Sequence, residues 1–176
     1  PLFHSWGFIN SIFALTLGAT IVLDRRFDPE QAMRRVDQYE AEVLVAVPVM
    51  LQMILELPKD VLDSLRAPNL SIVTLSGSAL PGGLATDWMD RFGENVYNLY
   101  GSTEVAWATI AGPADLRAAP GCAGRPPRGT VVRLYDDAGL PLTEPEATGR
   151  IFVGNEMAFE GYTGGGGKDV IDGLMS

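Results

Sequence analysis

The residues best suited to chemistry stand in the stretch NLYGSTE, where an apolar run ends in a glycine, two hydroxyls and a carboxylate. Tyr100 can present a ring face to a base, and Gly101 permits a tight turn. Ser102 and Thr103 can donate hydrogen bonds to phosphate oxygens, and Glu104 offers the oxygen ligand that Mg²⁺ prefers. This set suits a nucleotide–Mg²⁺ site. It suits equally well a helix N-terminus capped by a hydroxyl and followed by an early glutamate.

A second candidate loop is SGSALPGG, in which Gly77, Ser78 and Ala79 follow another apolar run. A glycine there lets a ligand approach the backbone, and a helix start behind Pro81 offers unpaired N–H groups. An ordinary strand-to-helix turn with a serine cap explains the loop as well. Its spacing does not match G-x-G-x-x-G, so the sequence does not predict a dinucleotide fingerprint. If the two strands are neighbours, both loops lie at one edge of a sheet, where α/β proteins bind ligands.

The elements that must position these loops alternate between strand and helix up to about Gly112. An apolar opening helix comes first, and further helices are predicted in DPEQAMRRVDQYE, VMLQMILEL and PGGLATDWMDRFG. Buried strands are predicted in ATIVLD (Ala19 to Asp24), EVLVAVP, LSIVTLSG and NVYNLYG. This alternation is typical of an α/β fold with a parallel sheet flanked by helices on both faces. The chain then becomes rich in Pro and Gly, and GTVVRLYDDAG and GRIFVGN predict a small β-barrel-like subdomain. We therefore expect two domains, residues 1–112 and 113–176.

Composition excludes several classes of protein. The 176 residues carry a net charge of −9, which argues against a nucleic-acid partner bound through neutralised phosphates. The single cysteine, Cys122, excludes an internal disulfide and a thiolate metal cluster, and we interpret it as a small buried hydrophobe in a cytoplasmic protein. The uncharged run over residues 5–23 is interrupted by polar residues and Gly18, so we expect a buried helix and strand there and no transmembrane segment. Peripheral contact with a membrane is compatible with the sequence, which does not indicate an oligomeric state.

Taken together, the motifs resemble those of the adenylate-forming enzymes, which include acyl- and aryl-CoA synthetases, luciferases and peptide-synthetase adenylation domains. LYGSTE resembles the Y-G-x-T-E motif of that family. Other stretches resemble further family motifs in the same order: PLFHSWGF, SGSALP, GRIFVGNEMAFEGY and GLMS. Among members of that family, the motif sequences are most similar to those of bacterial fatty-acyl-CoA ligases. The resemblance implies one α/β subdomain of the family's large N-terminal domain, followed by a β-rich subdomain that stops before the ribose-binding motif.

The resemblance also implies an activity and a set of site residues. Such enzymes join a carboxylic acid to ATP with Mg²⁺, release pyrophosphate, and pass the acyl group to CoA. Tyr100 would then stack on adenine, Thr103 would contact the phosphates and Glu104 would bind Mg²⁺. The rest of the ATP site would consist of Gly77, Ser78, Ala79, Asn98, Leu99, Gly101 and Ser102. The acyl or CoA pocket would include His4, Trp6 and Gly7, with His4 as a core histidine left as the alternative. Gly161 and Tyr162 would form the far wall of the site, with a merely structural turn as the alternative.

The sequence also departs from the family pattern. The Gly/Ser/Thr-rich phosphate loop, the ribose-binding Asp and the mobile C-terminal domain with its catalytic Lys are absent from these residues. The tract TGGGGKD lacks the P-loop spacing and predicts an exposed loop. We therefore expect a central fragment of an acyl-CoA ligase that is inactive by itself. An adenylation domain that loads a carrier protein, and a non-catalytic nucleotide-binding or structural module, are the alternatives.

Overall fold

The computed structural model describes residues 2–176, and within them six helices and nine strands form. The helices are α1 (Ser5–Thr16), α2 (Pro29–Gln38), α3 (Pro48–Leu55), α4 (Lys59–Ser64), α5 (Gly82–Phe92) and α6 (Pro113–Ala118). The strands are β1 (Val43–Ala46), β2 (Ile72–Leu75), β3 (Val96–Tyr100), β4 (Thr109–Ala111), β5 (Val131–Tyr135), β6 (Pro141–Leu142), β7 (Arg150–Gly154), β8 (Val170–Ile171) and β9 (Leu174–Met175). The residues divide into two compact units. The first unit comprises residues 2–99 and Ala111–Gly124, and the second comprises Tyr100–Ile110 and Arg125–Ser176.

The first unit contains β1, β2 and β3, which are neighbours in that order in one sheet. β1, β2 and β3 are parallel, with Ala46 beside Leu75 and Leu75 beside Asn98. The face that carries Ala46 and Leu75 is buried against a core that includes Met33, Leu51 and Trp88. Because the three strands run in one direction, their carboxyl ends lie at a single edge of the sheet. The predicted α/β fold class is therefore confirmed.

Local sequence signals account for the helix ends in this unit. Asp28 caps α2 by accepting a hydrogen bond from the backbone N–H of Gln31 at 2.8 Å, and Pro29 occupies the first helical position. α5 ends at Gly93, whose φ of +99° suits a residue without a side chain.

One predicted element is wrong. Residues 19–24 form no strand, and Leu23 is 60% exposed. β1 is the first strand of its sheet, so within residues 2–176 no ladder pairs with this apolar segment. The composition is that of a strand, but a strand requires a partner to satisfy its backbone groups.

The second unit contains an antiparallel sheet in the order β6-β5-β7-β9-β8. Tyr135 and Phe152 pack edge to face in its core with ring centres 5.1 Å apart. A turn with the sequence Asp-Asp-Ala-Gly follows β5, and the Asp136 carboxylate accepts hydrogen bonds from the backbone N–H groups of Ala138 and Leu140. The β-rich subdomain is thus confirmed.

No helix within residues 2–176 is long and apolar enough to cross a membrane.

Candidate functional site

The loop after β3 closes on itself and does not begin a helix. The backbone N–H of Ala108 donates to the carbonyl of Tyr100 at 2.8 Å, which joins the two ends of the loop. A Cβ atom at Gly101 would lie 2.1 Å from the carbonyl oxygen of Ala106, closer than atoms can approach, so only glycine fits there. Ala106 itself has a φ of +58°, in the left-handed region. The interpretation of this stretch as a capped helix N-terminus is therefore excluded, and the loop stands as a compact turn with Glu104 within it.

Glu104 is the most strongly perturbed carboxylate in this loop. Its Oε1 accepts a hydrogen bond from the Tyr162 hydroxyl at 2.7 Å, and the Lys168 ammonium lies 4.0 Å from the same oxygen. The Tyr162 hydrogen bond is the main cause that lowers the pKa of Glu104 to about 2, followed by a hydrogen bond with Ser102. The Glu104 carboxylate in turn raises the pKa of Tyr162. Glu104 is thus a carboxylate that stays ionised at every physiological pH.

The loop is supported by the segment that follows β7. The Asn155 side-chain amide donates to the carbonyls of Val105 and Trp107, at 2.8 and 3.1 Å. The backbone N–H of Phe159 donates to the carbonyl of Glu104 at 2.7 Å. These bonds satisfy backbone carbonyls that a turn without regular secondary structure would otherwise leave unpaired.

A cavity of about 210 Å³ lies beside this loop in the second unit. The residues that line it are Tyr100, Gly101, Ser102, Val105, Ala108, Ile151, Val153, Lys168 and Ser176. Three of these residues were expected in the site from sequence. Lys168 and Ser176 were not expected there from sequence. The glycine tract before Lys168 did not indicate a site, because its spacing matches no phosphate-binding motif.

In the first unit, the expected base-pocket residues lie at the carboxyl edge of the sheet. Gly77 follows β2 with a φ of +91°, which favours glycine. On β3, Asn98 pairs with Leu75, two residues before Gly77, and is buried at 7% exposure. Its Oδ1 has no hydrogen-bond partner among the described residues. A buried amide oxygen without a partner is uncommon in proteins.

The structure also places the start of α5 and the other residues expected in the ATP site. α5 begins after Pro81 with no side-chain cap, so the serine cap of the alternative interpretation does not form. Ser78 and Ala79 are exposed, and Leu99 is half-buried on β3.

The residues predicted for an acyl or CoA pocket lie at the start of α1. The Trp6 indole N–H donates to the carbonyl of Ala46 at 3.0 Å, at the carboxyl end of β1. This bond attaches α1 to the same edge of the sheet that carries Gly77. His4 precedes the helix and is exposed, with its ring 4.7 Å from Phe3, so the alternative of a core histidine is wrong. The carbonyl of Gly7 accepts from the Ser11 hydroxyl at 2.8 Å.

The charged groups of the described residues include no cluster of three or more His, Cys, Asp or Glu side chains that could hold a metal. Glu104 is instead a single ionised carboxylate. Mg²⁺ is commonly bound by one or two carboxylates together with substrate phosphates and water, so a lone glutamate fits that mode and does not fit a metal site built from protein alone. Cys122 is half-buried against the first core, in agreement with its interpretation as a small hydrophobe.

Comparisons with known proteins place the chain in a family. The pattern of the family described as "AMP-binding enzyme" matches residues 1–163. The chain is 32% identical to indoleacetate–CoA ligase of Aromatoleum aromaticum, over 92% of this chain and 31% of that protein. It is 31% identical to feruloyl-CoA synthase of an Amycolatopsis species, over 93% of this chain and 33% of that protein. It is also 31% identical to benzoate–CoA ligase of Thauera aromatica, over 86% of this chain and 29% of that protein.

Solved structures show the same fold. The o-succinylbenzoate CoA synthetase of Bacillus subtilis, in complex with its acyl-adenylate intermediate, superposes with a TM-score of 0.85 at 24% identity, over 99% of this chain and 35% of that one. An amide bond synthetase of Marinactinospora thermotolerans superposes with a TM-score of 0.82 at 25% identity, over 90% and 32%. The chain therefore spans about a third of the length of the proteins that it matches.

Proposed function

Because the chain belongs to the AMP-binding enzyme family, we propose that it is part of a ligase that activates a carboxylic acid with ATP and transfers the acyl group to CoA. The observation that carries the proposal is the closed loop from Tyr100 to Ala108, inside the region that matches the family. Five residues of this loop line a cavity, and the loop holds an ionised Glu104, which does not itself line the cavity. Formation of an acyl-adenylate requires the negative charge of the phosphates to be stabilised. A fixed carboxylate that binds a cation would place positive charge beside them.

The proposed roles follow from the chemistry of each group. Tyr100 is 44% exposed and offers its ring to adenine, while Thr103 contacts the phosphates. Asn98 lines the base pocket, where its Oδ1 would accept from the exocyclic amine of adenine; its lack of a protein partner supports this role. Glu104 binds Mg²⁺, which when bound neutralises phosphate charge. The remaining residues of the proposed ATP site are Gly77, Ser78, Ala79, Leu99, Gly101 and Ser102.

His4, Trp6 and Gly7 are proposed to border the acyl or CoA pocket. The Trp6 indole N–H already donates to Ala46, so this residue would act through its ring and not as a hydrogen-bond donor to a substrate. A cytoplasmic location is part of the same proposal.

The acid is proposed to be aromatic. The sequence by itself suggested a fatty acid, but the relatives quoted above are ligases of indoleacetate, ferulate and benzoate by name. Fatty acids therefore enter the assay as the competing class of substrate.

The proposal is tested with the full-length protein that contains this chain. ATP–pyrophosphate exchange is measured with indoleacetate, benzoate, ferulate and a series of fatty acids, and CoA thioesters are then identified by mass spectrometry. We expect exchange and thioester formation with at least one aromatic acid. Exchange with fatty acids alone would overturn the aromatic assignment. Exchange without a CoA thioester would instead favour a carrier-protein acceptor.

A second arm tests whether the chain is catalytically incomplete. The 176-residue chain by itself is expected to give no exchange with the acids that the full-length protein activates. Robust exchange by the chain alone would contradict that expectation. A full-length protein that binds ATP but activates none of the acids would point to a non-catalytic nucleotide-binding module.

A further inference from the structure

The contact between Tyr162 and Glu104 joins two parts of the second unit that are 58 positions apart in sequence. Tyr162 is held in place by neighbours on its own segment. Its ring packs edge to face on Phe159 with centres 4.8 Å apart, and the Phe159 backbone N–H donates to the Glu104 carbonyl at 2.7 Å. The segment that carries Tyr162 therefore holds the hydroxyl against Oε1 of Glu104, because the same segment makes a backbone hydrogen bond to Glu104.

The kind of donor matters as much as its position. A phenol O–H is neutral, so it fixes the direction of the carboxylate and leaves its negative charge available to a cation. The other group near the same oxygen is the ammonium of Lys168, 4.0 Å away, which is a cation itself. A carboxylate that turned fully toward Lys168 would have its charge neutralised and would bind a metal ion less well.

We propose that Tyr162 is a positioning residue for Glu104: its hydroxyl orients the carboxylate so that one oxygen stays directed to a divalent cation and not to Lys168. This role rests on the proposed function, in which Glu104 binds Mg²⁺. Hydrogen-bond partners behind a metal ligand typically change metal affinity by about 10–100-fold when they are removed. Because Tyr162 is 46% exposed and water can replace part of its bond, the lower end of that range is expected.

The test uses the full-length protein and three conservative variants. Tyr162→Phe removes only the hydroxyl, and Glu104→Gln removes the charged ligand. Tyr135→Phe is the matched control, because Tyr135 also donates its hydroxyl to a carboxylate, Asp172, at 2.8 Å in the same unit but outside the proposed site. Two quantities are measured for each: the Mg²⁺ concentration that gives half-maximal ATP–pyrophosphate exchange, and Mn²⁺ binding in the presence of a non-hydrolysable ATP analogue, followed by electron paramagnetic resonance.

For Tyr162→Phe we expect about a tenfold rise in the Mg²⁺ requirement and a similar loss of Mn²⁺ affinity, with kcat at saturating Mg²⁺ within about twofold of the wild type. Tyr135→Phe should leave both metal constants unchanged. In the Glu104→Gln background, the Tyr162→Phe change should have no further effect on Mn²⁺ binding, because the hydroxyl acts through the carboxylate.

Two results would overturn the role of Tyr162 while the proposed function survives. One is an unchanged metal requirement in Tyr162→Phe. The other is an additive loss of Mn²⁺ affinity in the double variant, which would show that Tyr162 acts independently of Glu104. If instead wild-type protein shows neither exchange nor Mn²⁺ binding with the nucleotide analogue, the proposed function fails and the role of Tyr162 fails with it.

Discussion

Two buried asparagines near β3 should respond with opposite signs to the same substitution. Asn95 and Asn98 are 3% and 7% exposed. The Asn95 side chain is satisfied: its Oδ1 accepts from the Trp88 indole N–H at 3.1 Å, and its Nδ2 donates to the carbonyls of Leu70 and Phe92 at 2.9 and 3.1 Å. Within residues 2–176, the Oδ1 of Asn98 has no hydrogen-bond partner. Replacing each with leucine, whose side chain has the same branching and the same number of heavy atoms, removes the polar atoms at both positions.

The magnitudes follow from the hydrogen bonds. Asn95→Leu leaves a buried indole N–H and two carbonyls without their partner. Each such group costs about 1–3 kcal/mol, so we expect a loss of about 3 kcal/mol in the free energy of unfolding, even if water reaches one carbonyl. Asn98→Leu removes a desolvated oxygen and breaks no bond to it, so a gain of about 1 kcal/mol is expected. For a chain of this size these changes correspond to a fall in Tm of about 6–12 °C and a rise of about 2–4 °C.

The Asn95→Leu and Asn98→Leu variants also distinguish a structural role from a role in ligand binding. If Asn98 accepts from adenine, Asn98→Leu should weaken AMP binding by the full-length protein about tenfold, the value of one hydrogen bond to the ligand. Thermal unfolding by circular dichroism gives the first quantity, and titration calorimetry with AMP gives the second. Equal losses of stability in both variants, or an Asn98→Leu protein that is destabilised and binds AMP normally, would refute the reasoning and make Asn98 a structural residue.

Three further predictions concern the second unit and the surface. Gly101→Ala should unfold the loop, because its Cβ would lie 2.1 Å from a backbone oxygen. We expect a Tm that is lower by several degrees. The control Gly164→Ala, which has open space around it, should have the Tm of the wild type. Glu104 has a folded-state pKa lowered to about 2, so its contribution to stability is present above about pH 4.5 and is lost as the pH falls toward 2. The difference in Tm between wild type and Glu104→Gln should therefore shrink over that window, and a constant difference would contradict the shift. Arg117→Gln removes exposed ion pairs to two acidic side chains and should change Tm by less than about 2 °C, as for most surface pairs; a larger fall would show that this pair network stabilises the unit.

Much of the fold could be predicted because its signals are local. The cap, the proline and the apolar stripe of α2 are all within one segment, and three of the four predicted strands formed in parallel order. The segment at residues 19–24 failed because a strand depends on a partner, which the segment's own composition does not supply. β4 was not predicted, since three residues are too short to show a periodic pattern.

Part of the candidate site could likewise be predicted from local sequence, and part depended on the tertiary structure. The sequence by itself determined the kinds of groups present, namely an aromatic ring, a glycine, hydroxyls and a carboxylate in the order that resembles an adenylate-forming enzyme. It did not decide between a capped helix and a closed loop, because both use the same residues. The tertiary structure decided this through the hydrogen bond that joins Ala108 to Tyr100. It alone also brought Tyr162 and Lys168 to Glu104, since contacts between residues about 60 positions apart depend on how a chain folds back and leave no mark on local spacing.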